Sequence, residues 1–72
     1  SKKEVFAGIL ARHNYQPEEV LVVGDDPESE IAAARALGIP TVLYDKNSMH
    51  PPEEADHAIS HFKDLKTIFD NR

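Results

Sequence analysis

The chain has 72 residues, no cysteine and a formal net charge of −5 with its histidines taken as neutral. The lack of cysteine excludes disulfides and thiolate zinc sites. The eight basic residues are scattered and do not form the basic stripe of a nucleic-acid-binding surface. No apolar run is long enough to span a bilayer, and no secretory pattern opens the sequence. We therefore expect a cytoplasmic protein that binds neither nucleic acid nor membrane.

The N-terminal segment has the spacing of an amphipathic helix. Between Lys2 and His13 the large apolar side chains fall on one helical stripe, which we expect to face the core. Asn14 suits the left-handed residue that often ends a helix. The stripe consists of Val5, Phe6, Ile9 and Leu10.

A buried strand and a second helix follow. Residues 20 to 23 form the short apolar run Val-Leu-Val-Val, which is typical of a parallel strand buried on both faces. Asp26 predicts an N-cap, with Pro27 as the first residue of the helix. Gly38 supplies a left-handed residue that ends this helix, and Pro40 prevents its continuation.

The second half of the chain predicts two more strands and a last helix. Thr41 to Tyr44 forms a strand, residues 45 to 56 form a surface loop, and Ala58 with Ile59 forms a very short third strand. Ser60 is a candidate cap for a final helix. The order α-β-α-β-β-α predicts a three-layer α/β unit with a short parallel sheet and right-handed crossovers, about half of a doubly wound fold.

A group of carboxylates follows the first strand. In open α/β sheets, ligands bind beyond the carboxyl ends of the strands, which is where Asp25 and Asp26 lie, with Glu28 and Glu30 just downstream. Converging carboxylates suit a hard cation such as Mg²⁺. The alternative is that Asp26 is only an N-cap and that both glutamates are favourable first-turn anions. That alternative does not account for Asp25.

These residues carry a resemblance to a known family. A strand, Gly24-Asp25, four residues, the acid Glu30, and a helix ending in Gly38-Ile39 before another strand resemble the fourth motif of the haloacid dehalogenase (HAD) superfamily. Residues 55 to 59 resemble the final short strand of that family, and the helix containing Leu65 resembles its closing helix. The similarity covers nearly the whole chain. It implies the C-terminal part of the Rossmann-like core domain of a HAD hydrolase.

The resemblance also implies roles for individual residues. Asp25 would bind Mg²⁺ directly or through water, with Asp26 beside it. The second acid of the motif falls on Glu30, where aspartate is usual. The catalytic lysine of the family would be Lys3 or Lys2, and the alternative for either is a solvated lysine at the N-terminus.

The nucleophile of the family, an aspartate after its first strand, has no counterpart in residues 1 to 72. We therefore expect these residues to be the C-terminal portion of a HAD-like core domain, without its nucleophile half or its cap. The full-length protein would be a Mg²⁺-dependent phosphatase of small phosphorylated metabolites acting through an aspartyl-phosphate, and the chain alone would be inactive.

Two further expectations remain open. The alternative function is a non-catalytic acidic half-Rossmann module, similar to a receiver domain, that binds a metal or another protein. In that reading, Asp45 is the only stand-in for a phosphoacceptor. In either reading, the strand at Val20 to Val23 would expose an unpaired edge, which favours a homo-oligomer or association with the other half of the domain.

Overall fold

The computed structural model describes residues 1 to 70, excluding the side chain at position 52. The predicted order of elements is confirmed, and three short 3₁₀ turns lie at Pro17–Glu19, Pro52–Glu54 and Phe62–Asp64. A π-helical turn, Pro27–Ile31, leads directly into the second helix. The helices and strands are α1 (Lys2–His13), β1 (Val22–Gly24), α2 (Ala32–Ala36), β2 (Thr41–Tyr44), β3 (His57–Ile59) and α3 (Leu65–Asp70).

The three strands form one parallel sheet in the order β1-β2-β3. Val22 pairs with Thr41 and Gly24 with Leu43, while Tyr44 pairs with Ile59. Because β2 lies between the other two, β1 has a strand on only one side within residues 1 to 70. Parallel strands bring their carboxyl ends to the same edge of a sheet, so the loops after β1 and β2 are neighbours.

Helix α1 has its predicted bounds, and Asn14 ends it with φ at 57°. The expectation that its apolar stripe faces the core is only half correct. Phe6 and Leu10 are partly buried, whereas Val5 is 58% exposed and Ile9 38% exposed. Amphipathic spacing shows that a helix has an apolar face, but it does not show which part of that face a neighbour covers. Here α1 packs against α2 and the π-helical turn, and this contact covers only part of the stripe.

The second helix begins differently from the expected α-helix. Asp26 caps it and Pro27 is its first residue, as predicted. The Ile31 N–H then points to the Asp26 carbonyl oxygen, five residues back, at 3.5 Å. This wide first turn is the π-helical segment, a local form that is rare and is often found at functional sites. The helix ends before Gly38, whose φ of 75° confirms the predicted left-handed residue.

The first strand is shifted and less buried than expected. It begins at Val22 and not at Val20, and Val23 is 37% exposed. Side chains of a strand point to the two faces of the sheet, and the face that carries Val23 is not fully covered within residues 1 to 70, so the prediction of burial on both faces was wrong. The Ser60 cap was also wrong, because the turn before α3 begins after His61 and has no side-chain cap.

The core lies under β2. The fully or almost fully buried apolar residues are Ile31, Ala34, Ile39, Val42, Leu43, Ala55 and Ile59. Thr41 is the one buried polar residue among those described. Its hydroxyl donates to Asp56 Oδ2 at 3.0 Å and accepts from the Asp56 N–H at 3.1 Å. The Thr41 N–H also donates to Oδ2 at 2.8 Å, so this pair satisfies its polar groups at the amino end of the sheet.

Along residues 1 to 70, every helix is too short or too polar to cross a membrane.

Candidate functional site

Asp25 stands at the carboxyl end of β1, one residue beyond Gly24. The Asp25 N–H donates to Glu30 Oε1 at 3.2 Å. The residue is exposed, and within the described part of the chain its carboxylate takes part in no hydrogen bond. The backbone is therefore anchored while both carboxylate oxygens stay available to a ligand.

Asp26 has a structural task. Its Oδ1 accepts from the Glu28 N–H at 2.9 Å, which makes it the N-cap of the following helix. The prediction that Asp26 is an N-cap is therefore confirmed for Oδ1. Glu28, an exposed acid in the first turn, adds negative charge near a helix start, where the backbone dipole favours it.

Glu30 links Asp25 to the start of the chain. Its Oε1 accepts the Asp25 N–H, and its Oε2 accepts from Lys2 Nζ at 2.8 Å. The side chain is only 18% exposed. The hydrogen bond from Lys2, supported by backbone N–H donors, lowers the pKa of Glu30 from 4.5 to about 2. Glu30 is therefore ionised across the physiological range, and both of its oxygens are engaged.

Lys2, and not Lys3, reaches this group. The hydrogen bond to Glu30 raises the pKa of Lys2 above 10.5, and the nearby charges of Asp26 and Asp25 act in the same direction. Lys3 is exposed, and among the residues described it makes no hydrogen bond or ion pair. The sequence did not decide between the two lysines, because neither spacing nor composition predicts a contact between residues 28 positions apart.

The role of Gly24 at this site was not predicted. A Cβ atom at Gly24 would overlap Glu30 Cγ and would lie 2.9 Å from Cδ and 2.8 Å from Oε1. The available signal was a glycine inside a strand, which often marks a close approach of two parts of a protein. Beside it lies a cleft of about 370 Å³, lined by Val23, Gly24, Asp25, Glu30, Tyr44 and Phe62.

The donors at this edge are carboxylate oxygens, which are the ligands that Mg²⁺ prefers. However, no three Asp, Glu or His side chains within residues 1 to 70 are grouped so that they could hold a metal ion. Of the three acids predicted to bind the metal, Asp26 uses one oxygen as a cap and Glu30 uses both, so within residues 1 to 70 Asp25 is the one with two free carboxylate oxygens. The residues fit one part of a Mg²⁺ shell, which needs ligands from elsewhere to be complete.

Asp45 directly follows the neighbouring strand, β2, but its carboxylate has different partners. Its Oδ1 accepts from the Met49 N–H at 3.0 Å and its Oδ2 from the His50 N–H at 2.8 Å. These bonds, first the one from Met49, lower the pKa of Asp45. Asp45 therefore closes its own loop and does not resemble an available phosphoacceptor.

Comparison with known proteins identifies the family of the chain. The chain matches the HAD-hydrolase-like family over residues 1–67 and belongs to it. The resemblance and the α/β fold expected from the sequence are both confirmed. The chain is also 47% identical over 52 residues to a ribulose-1,5-bisphosphate 5-phosphatase of Halopiger xanaduensis. The matched segment is 72% of this chain and 20% of that protein, so the chain spans about a fifth of the length of this relative.

Proposed function

We propose that the chain is the C-terminal portion of the core domain of a cytoplasmic, Mg²⁺-dependent phosphatase that acts on small phosphorylated metabolites. In the full-length protein, the reaction would pass through an aspartyl-phosphate on a carboxylate outside residues 1 to 72. The related sugar-phosphate phosphatase supports the reaction class. The chain alone would bind the metal weakly and would not turn over substrate.

The observation that carries the proposal is the contrast between Asp25 and the two other proposed ligands, Asp26 and Glu30. Asp25 keeps a free carboxylate at the strand end where α/β folds bind ligands, and Glu30 anchors its backbone at 3.2 Å. Asp25 would be the direct metal ligand. Asp26 offers its second oxygen, and Glu30 contributes its charge or holds a metal-bound water.

The charges support a site for a cation and a phosphate together. Four carboxylates lie within six residues, and Lys2 is the cation paired to one of them. A bound Mg²⁺ would offset the remaining repulsion and stabilise negative charge on a phosphoryl group. Lys2 would hold Glu30 ionised and bring a positive charge to the same edge of the sheet.

The metal part is tested by Mg²⁺ titration of the chain, followed by backbone amide NMR. The amides of residues 24 to 29 should shift first, with an apparent affinity in the millimolar range, because one carboxylate with partial help is a poor shell for Mg²⁺. Asp25→Asn should abolish these shifts. Asp64→Asn, at the other end of the chain, is the control and should leave them unchanged.

Shifts spread evenly over all acidic residues would contradict the metal site. The reaction part has its own test, in which the isolated chain should hydrolyse an aryl phosphate no faster than a blank. Turnover that survives repurification and disappears in Asp25→Ala would show that the nucleophile has been misidentified.

We also propose that the edge of β1 binds another chain or the other half of the domain. Val23 is 37% exposed there, and the exposed Val5 and Ile9 add apolar surface on α1. An unpaired strand edge is a template for pairing, and exposed apolar patches mark interaction sites. Sedimentation at micromolar concentration should show a dimer or larger assembly. A stable monomer whose amides at residues 20 to 23 resist exchange would refute this part of the proposal.

A further inference from the structure

The side chain of Glu30 packs so closely against Gly24 that it leaves no room for a Cβ atom there. Gly24 is the last residue of β1 and takes extended strand backbone, whereas Gly38 is the glycine with a left-handed backbone, at φ 75°. The conformation of Gly24 is therefore open to any residue. What prevents a side chain there is the Glu30 side chain, because an added Cβ would overlap Glu30 Cγ.

The overlap involves the inner part of the Glu30 side chain. Its Cγ, Cδ and Oε1 atoms all lie against Gly24. A movement of the carboxylate alone would not relieve the contact at Cγ, so Glu30 would have to change its χ1 rotamer. Such a change moves both oxygens, one of which accepts the Asp25 N–H and the other the Lys2 ammonium.

From this geometry we infer that Gly24 is a positioning residue, whose lack of a side chain lets Glu30 cross β1 and join the Asp25 backbone to Lys2. The inference rests on the proposed function for its link to metal binding, because Asp25 is the proposed ligand. The coupling among Gly24, Glu30 and Asp25 stands on the contacts alone. Glu30 then acts mainly by holding Asp25 and Lys2 in place, because its two carboxylate oxygens accept hydrogen bonds from these residues.

The experiment is a double-mutant cycle of Gly24→Ala and Glu30→Ala, read by urea unfolding and by the Asp25 amide resonance. Gly24→Ala should lower the unfolding midpoint clearly and move the Asp25 amide toward its non-hydrogen-bonded position. In the Glu30→Ala background the same change should have little further effect on either readout, because the overlapping atoms are gone.

Gly8→Ala is the matched control. Gly8 lies inside α1 and has no atom within 4 Å of an added Cβ. Alanine also favours a helix interior over glycine, so this variant should keep or raise the midpoint and leave the Asp25 amide unchanged. If Gly24→Ala fails to fold, a folded double variant supports the inference and an unfolded double variant overturns it.

Two results would overturn the inference. One is an Asp25 amide in Gly24→Ala that matches the native chain. The other is an equal loss of midpoint with and without Glu30, which would mean that the backbone itself requires glycine. The proposed function is judged separately by Mg²⁺ titration of the native chain. Where that chain binds Mg²⁺, Gly24→Ala should weaken binding by about tenfold, the factor expected from the loss of one net hydrogen bond.

Discussion

The two ends of the sheet use aspartate in opposite ways. At the amino end, Asp56 accepts two hydrogen bonds from Thr41 and donates one back. At the carboxyl end, Asp25 is held only through its backbone, and its exposed carboxylate makes no hydrogen bond within residues 1 to 70. The first arrangement stabilises the fold, and the second leaves both Asp25 carboxylate oxygens free, as the proposed metal ligand requires.

Asp45 shows that a position just after a strand does not by itself decide whether an aspartate is free to bind a ligand. Asp45 and Asp25 follow neighbouring parallel strands, yet both Asp45 oxygens accept backbone N–H groups of its own loop. A strand-end aspartate therefore indicates a ligand site only when its oxygens are free. By this criterion Asp45 has a structural role, whereas Asp25 can serve as the metal ligand that we propose.

The largest stability effect is expected at the amino end, from Thr41→Val. Thr41 is fully buried, and valine keeps its shape while leaving the Asp56 N–H without its acceptor. The Thr41 hydroxyl makes two part-buried hydrogen bonds with Asp56, and each contributes about 0.5–1.5 kcal/mol, so urea unfolding should show a loss of about 1–3 kcal/mol. In an Asp56→Ala background the further loss should be much smaller, because the two residues act as a pair. Full additivity of the two changes would contradict the comparison.

Asp45→Ala should have the next largest effect. The variant loses the acceptors of the Met49 and His50 N–H groups, which close the loop after β2. We expect the melting temperature to fall by several degrees and both amides to exchange faster with solvent. Mg²⁺ shifts at residues 24 to 29 should persist in this variant. Their loss would show that Asp45 also belongs to the metal site.

Local features of the sequence predicted much of this molecule. The bounds of α1 and β2, the Asp26 cap and the left-handed Gly38 each depend on residues a few positions apart. Contacts between distant residues could not be predicted in this way. The pair of Lys2 and Glu30 spans 28 positions, and the pair of Thr41 and Asp56 spans 15. Such pairs depend on how the elements pack, which also decided how much of the α1 stripe is buried.

A smaller effect, present at neutral pH and lost in acid, is expected from Lys2→Met. The pKa of Glu30 is lowered to about 2 from its ordinary 4.5, first of all by Lys2. A lowered pKa contributes stability that is fully present above 4.5 and is lost as the pH falls toward 2. Lys2→Met should therefore flatten the dependence of stability on pH in that window. Lys3→Met is the control and should keep the native slope, and an equal effect of the two variants would remove Lys2 from the site.

The smallest stability effect is expected from Asp25→Asn, although it removes the central residue of the proposed site. Asparagine keeps the shape of the side chain and the Asp25 N–H that binds Glu30. Its neutral amide loses an attraction to Lys2 but also a repulsion from the acids at positions 26, 28 and 30. These terms oppose each other at an exposed position, so the free energy of unfolding should stay within about 0.5 kcal/mol of the native value. A residue that costs nothing in stability when neutralised, yet is needed for Mg²⁺ binding, is retained for function. A large loss of stability would instead place Asp25 with Asp45 and Asp56 among the acids that fold the chain.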